Sequence, residues 1–186
     1  MLDLYLANRK QAKQYKHSLL ADLQKRIDPE SFPPFTDDNP QPFYLEFKKR
    51  ITQFVKKETE LQQKELNKSE NCHLLLLKRT ALVDTVIQTA YQTALWLCNR
   101  GRAEALREND IPVAVVARGG YGREEMAPHS DVDLTFIVER SDDKRTVSLI
   151  EAVLYLLWDL GLTVGHSVRT MDDIVTMSKA DGTILT

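Results

Sequence analysis

The hydrophobic period of the chain first changes near residue 111, and that change limits the folds open to it. Before it, Leu82, Val83, Val86, Ile87, Ala90, Tyr91, Ala94, Leu95 and Cys98 recur at i, i+1, i+4, i+5, the spacing of a helix with a broad apolar stripe. After it come two short β-branched runs, "IPVAVVA" at 111–117 and "DVDLTFIVE" at 131–139, with the profile of covered strands. Helices first, then strands alternating with helices, predict an α+β fold.

The remaining elements follow from punctuation. Residues 2–27 read as a helix. Residues 28–42, "DPESFPPFTDDNPQP", hold five of the seven prolines and must be a turn-rich linker. A second amphipathic helix is expected from Phe43 to about Leu66, with Phe47, Ile51, Phe54, Val55 and Leu61 on its apolar face and the Lys-rich stretch 48–57 solvated. The third helix is expected to stop at Gly101 and to pack on both the preceding helix and a sheet. Ser141 is a candidate N-cap for a helix buried through Leu149, Val153, Leu156, Leu157 and Leu160, ending at Gly161. "LTVGHSVRT" at 162–170 reads as a third strand and 172–180 as a last short helix, while Trp96 and Trp158 fall in apolar stripes and are expected in the core.

Composition removes several function classes. Among 186 residues, 25 Lys and Arg oppose 27 Asp and Glu, a net charge of −2 that does not suit a general nucleic-acid binder. The balance is uneven: residues 1–80 carry 15 basic and 11 acidic side chains, the remainder 10 and 16. Cys72 and Cys98 lack the spacing of a disulfide framework or a zinc site. No 18-residue apolar run exists, and charge interrupts the start of the chain every few residues, so no membrane span or signal segment is expected and a cytoplasmic location fits.

The chemistry concentrates between residues 117 and 139. In a strand, residues two apart share a face, so Asp131 and Asp133 are expected to project together. Paired carboxylates repel unless a cation lies between them, and a hard divalent ion such as Mg²⁺, one or two of them, combines carboxylates with substrate phosphates. Upstream, Gly119 and Gly120 follow directly on a strand, where glycine lets the backbone approach an anion and aim N–H groups at it. If "YGREEM" opens a short helix, its N-terminus favours phosphate too. Arg123 offers a charged fork for the same phosphates.

Strand, Gly-Gly, a ten-residue spacer and an apolar-flanked Asp-x-Asp resemble the signature of the nucleotidyltransferase superfamily typified by DNA polymerase β. The strings "GGYGREEMAPHSDVDL" and "WDLGLTVGHSVRTMDD" are similar, more narrowly, to the N-terminal catalytic domain of the bacterial PII-protein uridylyltransferase and uridylyl-removing enzyme family, and "KRTALVDTVI" resembles that family's helix before the first strand. The resemblance covers residues 74–186. It implies a polymerase β-like fold with a small mixed sheet, preceded by a helical extension over residues 1–73, and a domain continuing past Thr186. It implies Mg²⁺-dependent transfer of UMP from UTP to a tyrosine of a PII-type signalling protein, with Asp131 and Asp133 as catalytic metal ligands. Gly119, Gly120, Arg123 and Ser130 would bind nucleotide, and His166 and Arg169 would lie beside the site.

Two departures stand out. Arg118 takes a place where the family usually has a small or apolar residue, and "LTVGHSVRT" holds no third carboxylate. Two rival readings stay open: a related nucleotidyltransferase with another nucleotide or acceptor, and a non-catalytic module of the same fold that binds nucleotide or a partner.

Overall fold

The computed structural model describes residues 2–36, 38–68, 71–100 and 113–180. Three long helices come first: α1 (Leu2–Arg26), α2 (Gln41–Leu66) and α3 (Cys72–Asn99). Then follow β1 (Val113–Ala117), a single helical turn α4 (Gly119–Gly122), β2 (Val132–Val138), α5 (Lys144–Asp159), β3 (Val164–Thr170) and α6 (Met171–Ala180). This is the α+β architecture expected, a small mixed sheet with a helical extension ahead of it. Gly101 and the start of the run at 111 lie outside the described residues.

Between α1 and α2 a short 3₁₀ turn, Pro29–Ser31, occupies the proline-rich stretch. Pro42 sits in the first turn of α2, where its missing N–H is no loss. Along α2 the buried stripe is Phe43, Phe47, Ile51 and Phe54, then Glu58 and Gln62. Leu61, expected on that face, is 47% exposed, because the stripe advances from Phe54 in steps of four and passes it by. The polar end of the stripe is satisfied by α1: the Tyr15 hydroxyl donates to Glu58 Oε2 at 2.9 Å and accepts from Gln62 Nε2 at 3.2 Å.

Helix α3 is longer than the periodic stretch that announced it and is N-capped by Asn71, whose side chain accepts from the Leu74 amide. It packs against α1, α2 and α5. Its buried Thr85 and Thr89 donate their hydroxyls to carbonyls four residues back, which lets polar side chains sit in a core helix. The cap of α5 is Asp143 rather than Ser141: its carboxylate accepts from both the amide and the hydroxyl of Thr146, and the helix starts at Lys144.

The sheet order is β1-β2-β3, with β1 antiparallel and β3 parallel to β2. The parallel pair needs a crossover, and α5 supplies it. β2 is shorter than its run, so Asp131 lies one residue before it and not within it. Registers Ala117↔Leu134 and Leu134↔His166 place those side chains on one face, with Val132, Phe136 and Val138. Its β2 residues are buried under the helices, where Phe136 and Leu157 are fully enclosed in one hydrophobic cluster running from Leu19 of α1 to α5, while His166 and Val168 of β3 stay exposed. Trp158 is not part of it; it is half exposed and meets His166 edge-on, with ring centroids 5.6 Å apart. Trp96 packs against the cluster through Phe35 and Phe43.

Candidate active site

The opposite face of the sheet carries the polar residues. Asp133 pairs in register with Gly165 and Thr135 with Ser167, whose hydroxyls meet at 3.0 Å. Asp133 is half-buried and wedged between two glycines. A Cβ on Gly119 would stand 3.0 Å from its Oδ2, and one on Gly165 2.5 Å from its Oδ1. Gly119 also holds φ at +58°, a region that side chains resist, so its glycine is required twice over. Gly120 is different: a Cβ there would meet nothing closer than 3.8 Å.

The turn itself differs from the expectation. The glycines form α4 instead of preceding a helix in "YGREEM", and Gly122, Arg123 and Glu125 donate their amides to Arg118, Gly119 and Gly120. Gly122 packs directly on the Ala117 carbonyl, with no room for a side chain. The turn's opening amides, at Gly119 and Gly120, are left without intrahelical acceptors, as at any helix start. The Arg118 amide donates to the Asp133 carbonyl at 2.9 Å, which extends the β1-β2 ladder and pins the turn beside Asp133.

The other expected residues divide. Asp131 and Ser130 are exposed in the approach to β2. Arg123 is exposed and directs its Nε to Glu125 at 2.9 Å. Arg169 shares the face of Asp133, four residues along, about 13 Å at the rise of a strand. His166 points to the other face, toward Trp158, so the structure does not bring it to Asp133. Asp173, in the first turn of α6, is occupied with Thr170, whose amide and hydroxyl both hold its carboxyl below the usual range.

Among the described residues, neither Asp131 nor Asp133 has a cationic partner, and no third Asp, Glu, His or Cys joins them in a metal-binding group. Two uncompensated hard oxygen donors fit a divalent ion whose remaining ligands come from phosphate and water.

Three residues absent from the expected site help to build it. Gly165 gives Asp133 its room, and its signal was a glycine inside a strand pattern, which marks a close approach. Tyr121 is buried and donates to Asp84 of α3 at 2.5 Å, and Asp84 meets Lys16 of α1 at 2.6 Å. Burial, with Asp84 adjacent, pushes the Tyr121 phenol well above its ordinary range.

A glycine turn locked against an Asp-x-Asp on a small mixed sheet defines a class, and residues 100–181 match the family model described as nucleotidyltransferase domain. Three curated relatives carry the name bifunctional uridylyltransferase/uridylyl-removing enzyme. That of Novosphingobium aromaticivorans is 44% identical over 105 residues, 56% of this chain and 11% of the relative. That of Azospirillum brasilense is 54% identical over 72 residues, 39% and 8% of the two chains. That of Pseudomonas aeruginosa is 36% identical over 140 residues, 75% and 14%. The resemblance of the chain to this family lies in the N-terminal nucleotidyltransferase domain, and the chain spans about a tenth of the length of these relatives. No solved structure matches it.

Proposed function

We propose that the chain performs Mg²⁺-dependent nucleotidyl transfer in the cytoplasm, moving UMP from UTP to a tyrosine hydroxyl of a PII-type signalling protein. In this reading residues 74–186 are the transferase unit and residues 1–73 its helical extension. The observation that carries it is the Asp133 carboxylate held between Gly119 and Gly165, next to a turn with open amides. The names of the relatives favour uridylyl transfer within the class.

The residues divide the work. Asp131 and Asp133 would hold the metal, and Gly119, Gly120 and Ser130 would bind the triphosphate so that its α-phosphorus faces the acceptor oxygen. The acceptor displaces pyrophosphate in line. Mg²⁺, when bound, supplies charge neutralisation on the phosphates and on the leaving group. Arg123 reaches the phosphates by exchanging Glu125 for them, and Arg169 stands farther along the same face.

The test incubates the protein with Mg²⁺ and each labelled nucleoside triphosphate, with and without a PII protein. Label on the PII protein from UTP alone is the expected result, and Asp131→Ala is expected to abolish it while leaving the far-UV circular dichroism unchanged. Transfer by that variant at the wild-type rate would remove Asp131 from the mechanism, and label from another nucleotide would change the donor. The non-catalytic reading is favoured by the missing third carboxylate among the described residues. It requires nucleotide binding without label on any acceptor, and Asp133→Asn that still binds.

A further inference from the structure

Behind the glycine turn lies a set of polar contacts that the proposed chemistry does not use. Tyr121 is 6% exposed, so its hydroxyl needs an acceptor from the protein, and it finds Asp84 Oδ1 at 2.5 Å. The other oxygen of Asp84 is 2.6 Å from Lys16 Nζ, which makes the chain Tyr121–Asp84–Lys16 continuous across three elements. A second tie joins the same two regions: Arg9 Nη2 meets Glu124 at 2.5 Å. Glu124 leaves the turn at φ +62°, a conformation that a non-glycine residue keeps only where its surroundings impose it.

Both ties end on α1, which lies outside the segment matched by the nucleotidyltransferase model. On the sheet side the turn is held by backbone contacts with Asp133 and Ala117. It is four residues long, three of them glycine, and glycine brings maximal backbone freedom, so a preorganised position must be enforced from outside. Tyr121 is the one side chain in α4, and it is the atom group through which α1 and α3 reach the turn.

We propose that Asp84 and Lys16 are positioning residues for the transferase site: by holding Tyr121 they fix the amides of Gly119 and Gly120 beside the Asp133 carboxylate. The helical extension is then a working part of the nucleotide site. The proposal rests on the reading of that turn as the phosphate cradle.

Two measurements on the full chain separate the proposal from that reading: hydrogen exchange of the amides at 119–125, and titration with UTP in the presence of Mg²⁺. Asp84→Asn and Lys16→Met are expected to raise exchange in the turn and weaken UTP binding, each roughly tenfold, the size of losing a hydrogen bond to a charged group. Exchange within β2 should not change, a split that general destabilisation would not produce. Lys16→Arg is expected to restore both values. Lys13→Met, which removes a neighbouring charge on α1 without touching Asp84, is expected to alter neither. Unchanged exchange in the turn in the Lys16→Met protein would overturn the proposal even if Asp84→Asn fails to fold. Unchanged UTP affinity in a variant whose turn exchanges faster would overturn it as well. If the wild-type chain does not bind UTP while the variants show faster exchange in the turn, the mechanical tie stands and the phosphate-cradle reading falls.

Discussion

At residue scale, the two members of the Gly119-Gly120 pair have different jobs. Gly119 is demanded by the fold and by the site together, through its positive φ and the proximity of Asp133 Oδ2; Gly120 has room for a methyl group. Gly120→Ala is therefore expected to leave the melting temperature unchanged, and if a phosphate approaches that amide it will lower transfer. Gly119→Ala should lower both. Gly165→Ala is the sharper case, since the clash is with the end of the Asp133 side chain, which can swing aside. Its expected outcome is near-normal stability and a loss of about a hundredfold in kcat, the scale of a 1 Å misplacement of a reacting group. Steady-state kinetics beside thermal melts distinguish the three. Asp133 and Gly119 were legible in the sequence because each belongs to a local motif. The partnership of Asp133 with Gly165, 32 positions on, was not, because only the parallel register brings the two together.

The elements show which local rules prevailed. Ser141 and Asp143 both satisfy the N-cap preference, and Asp143 takes the role because it can accept from the amide and the hydroxyl of Thr146 at once. Asp143→Ala is expected to destabilise the protein by about 1 kcal/mol. The check is a shift of the urea midpoint with no change in slope, whereas Ser141→Ala should move nothing. Periodicity placed α2, α3 and α5 correctly, but it misjudged single positions where two faces compete. Leu61 and Trp158 are apolar and exposed, while Glu58 and Gln62 are polar and buried, because Tyr15 of another helix offers them hydrogen bonds. A pattern read along one helix cannot see that partner.

Across the whole molecule, the uneven charge of the sequence acquires a use. Lys16–Asp84, Arg9–Glu124 and Lys48–Asp159 each join a cation of the first 80 residues to an anion of the remainder, so the Lys-rich surface is partly an internal fastening. Two phenols, Tyr121 buried and Tyr15 half-buried, give the molecule a pH limit. Tyr121 and Tyr15 are held protonated by burial, with folded pKa values raised above the unfolded value of about 10. Their contribution is complete below that value and is lost as pH rises beyond it. For Tyr121 the slope is about 1.4 kcal/mol per pH unit. Urea midpoints measured between pH 8 and 11 are expected to fall above pH 10, and less steeply in Tyr121→Phe.

The α+β class, the helical extension, the glycine turn and the Asp-x-Asp are written in the chain, because all of them depend on period and spacing along it. That His166 faces away from Asp133, that Gly165 makes room for the Asp133 carboxylate, and that Asp84 and Lys16 stand behind the turn emerges with the folded molecule. Those are contacts between residues far apart in the chain, fixed by strand register and helix packing, and no local pattern encodes them.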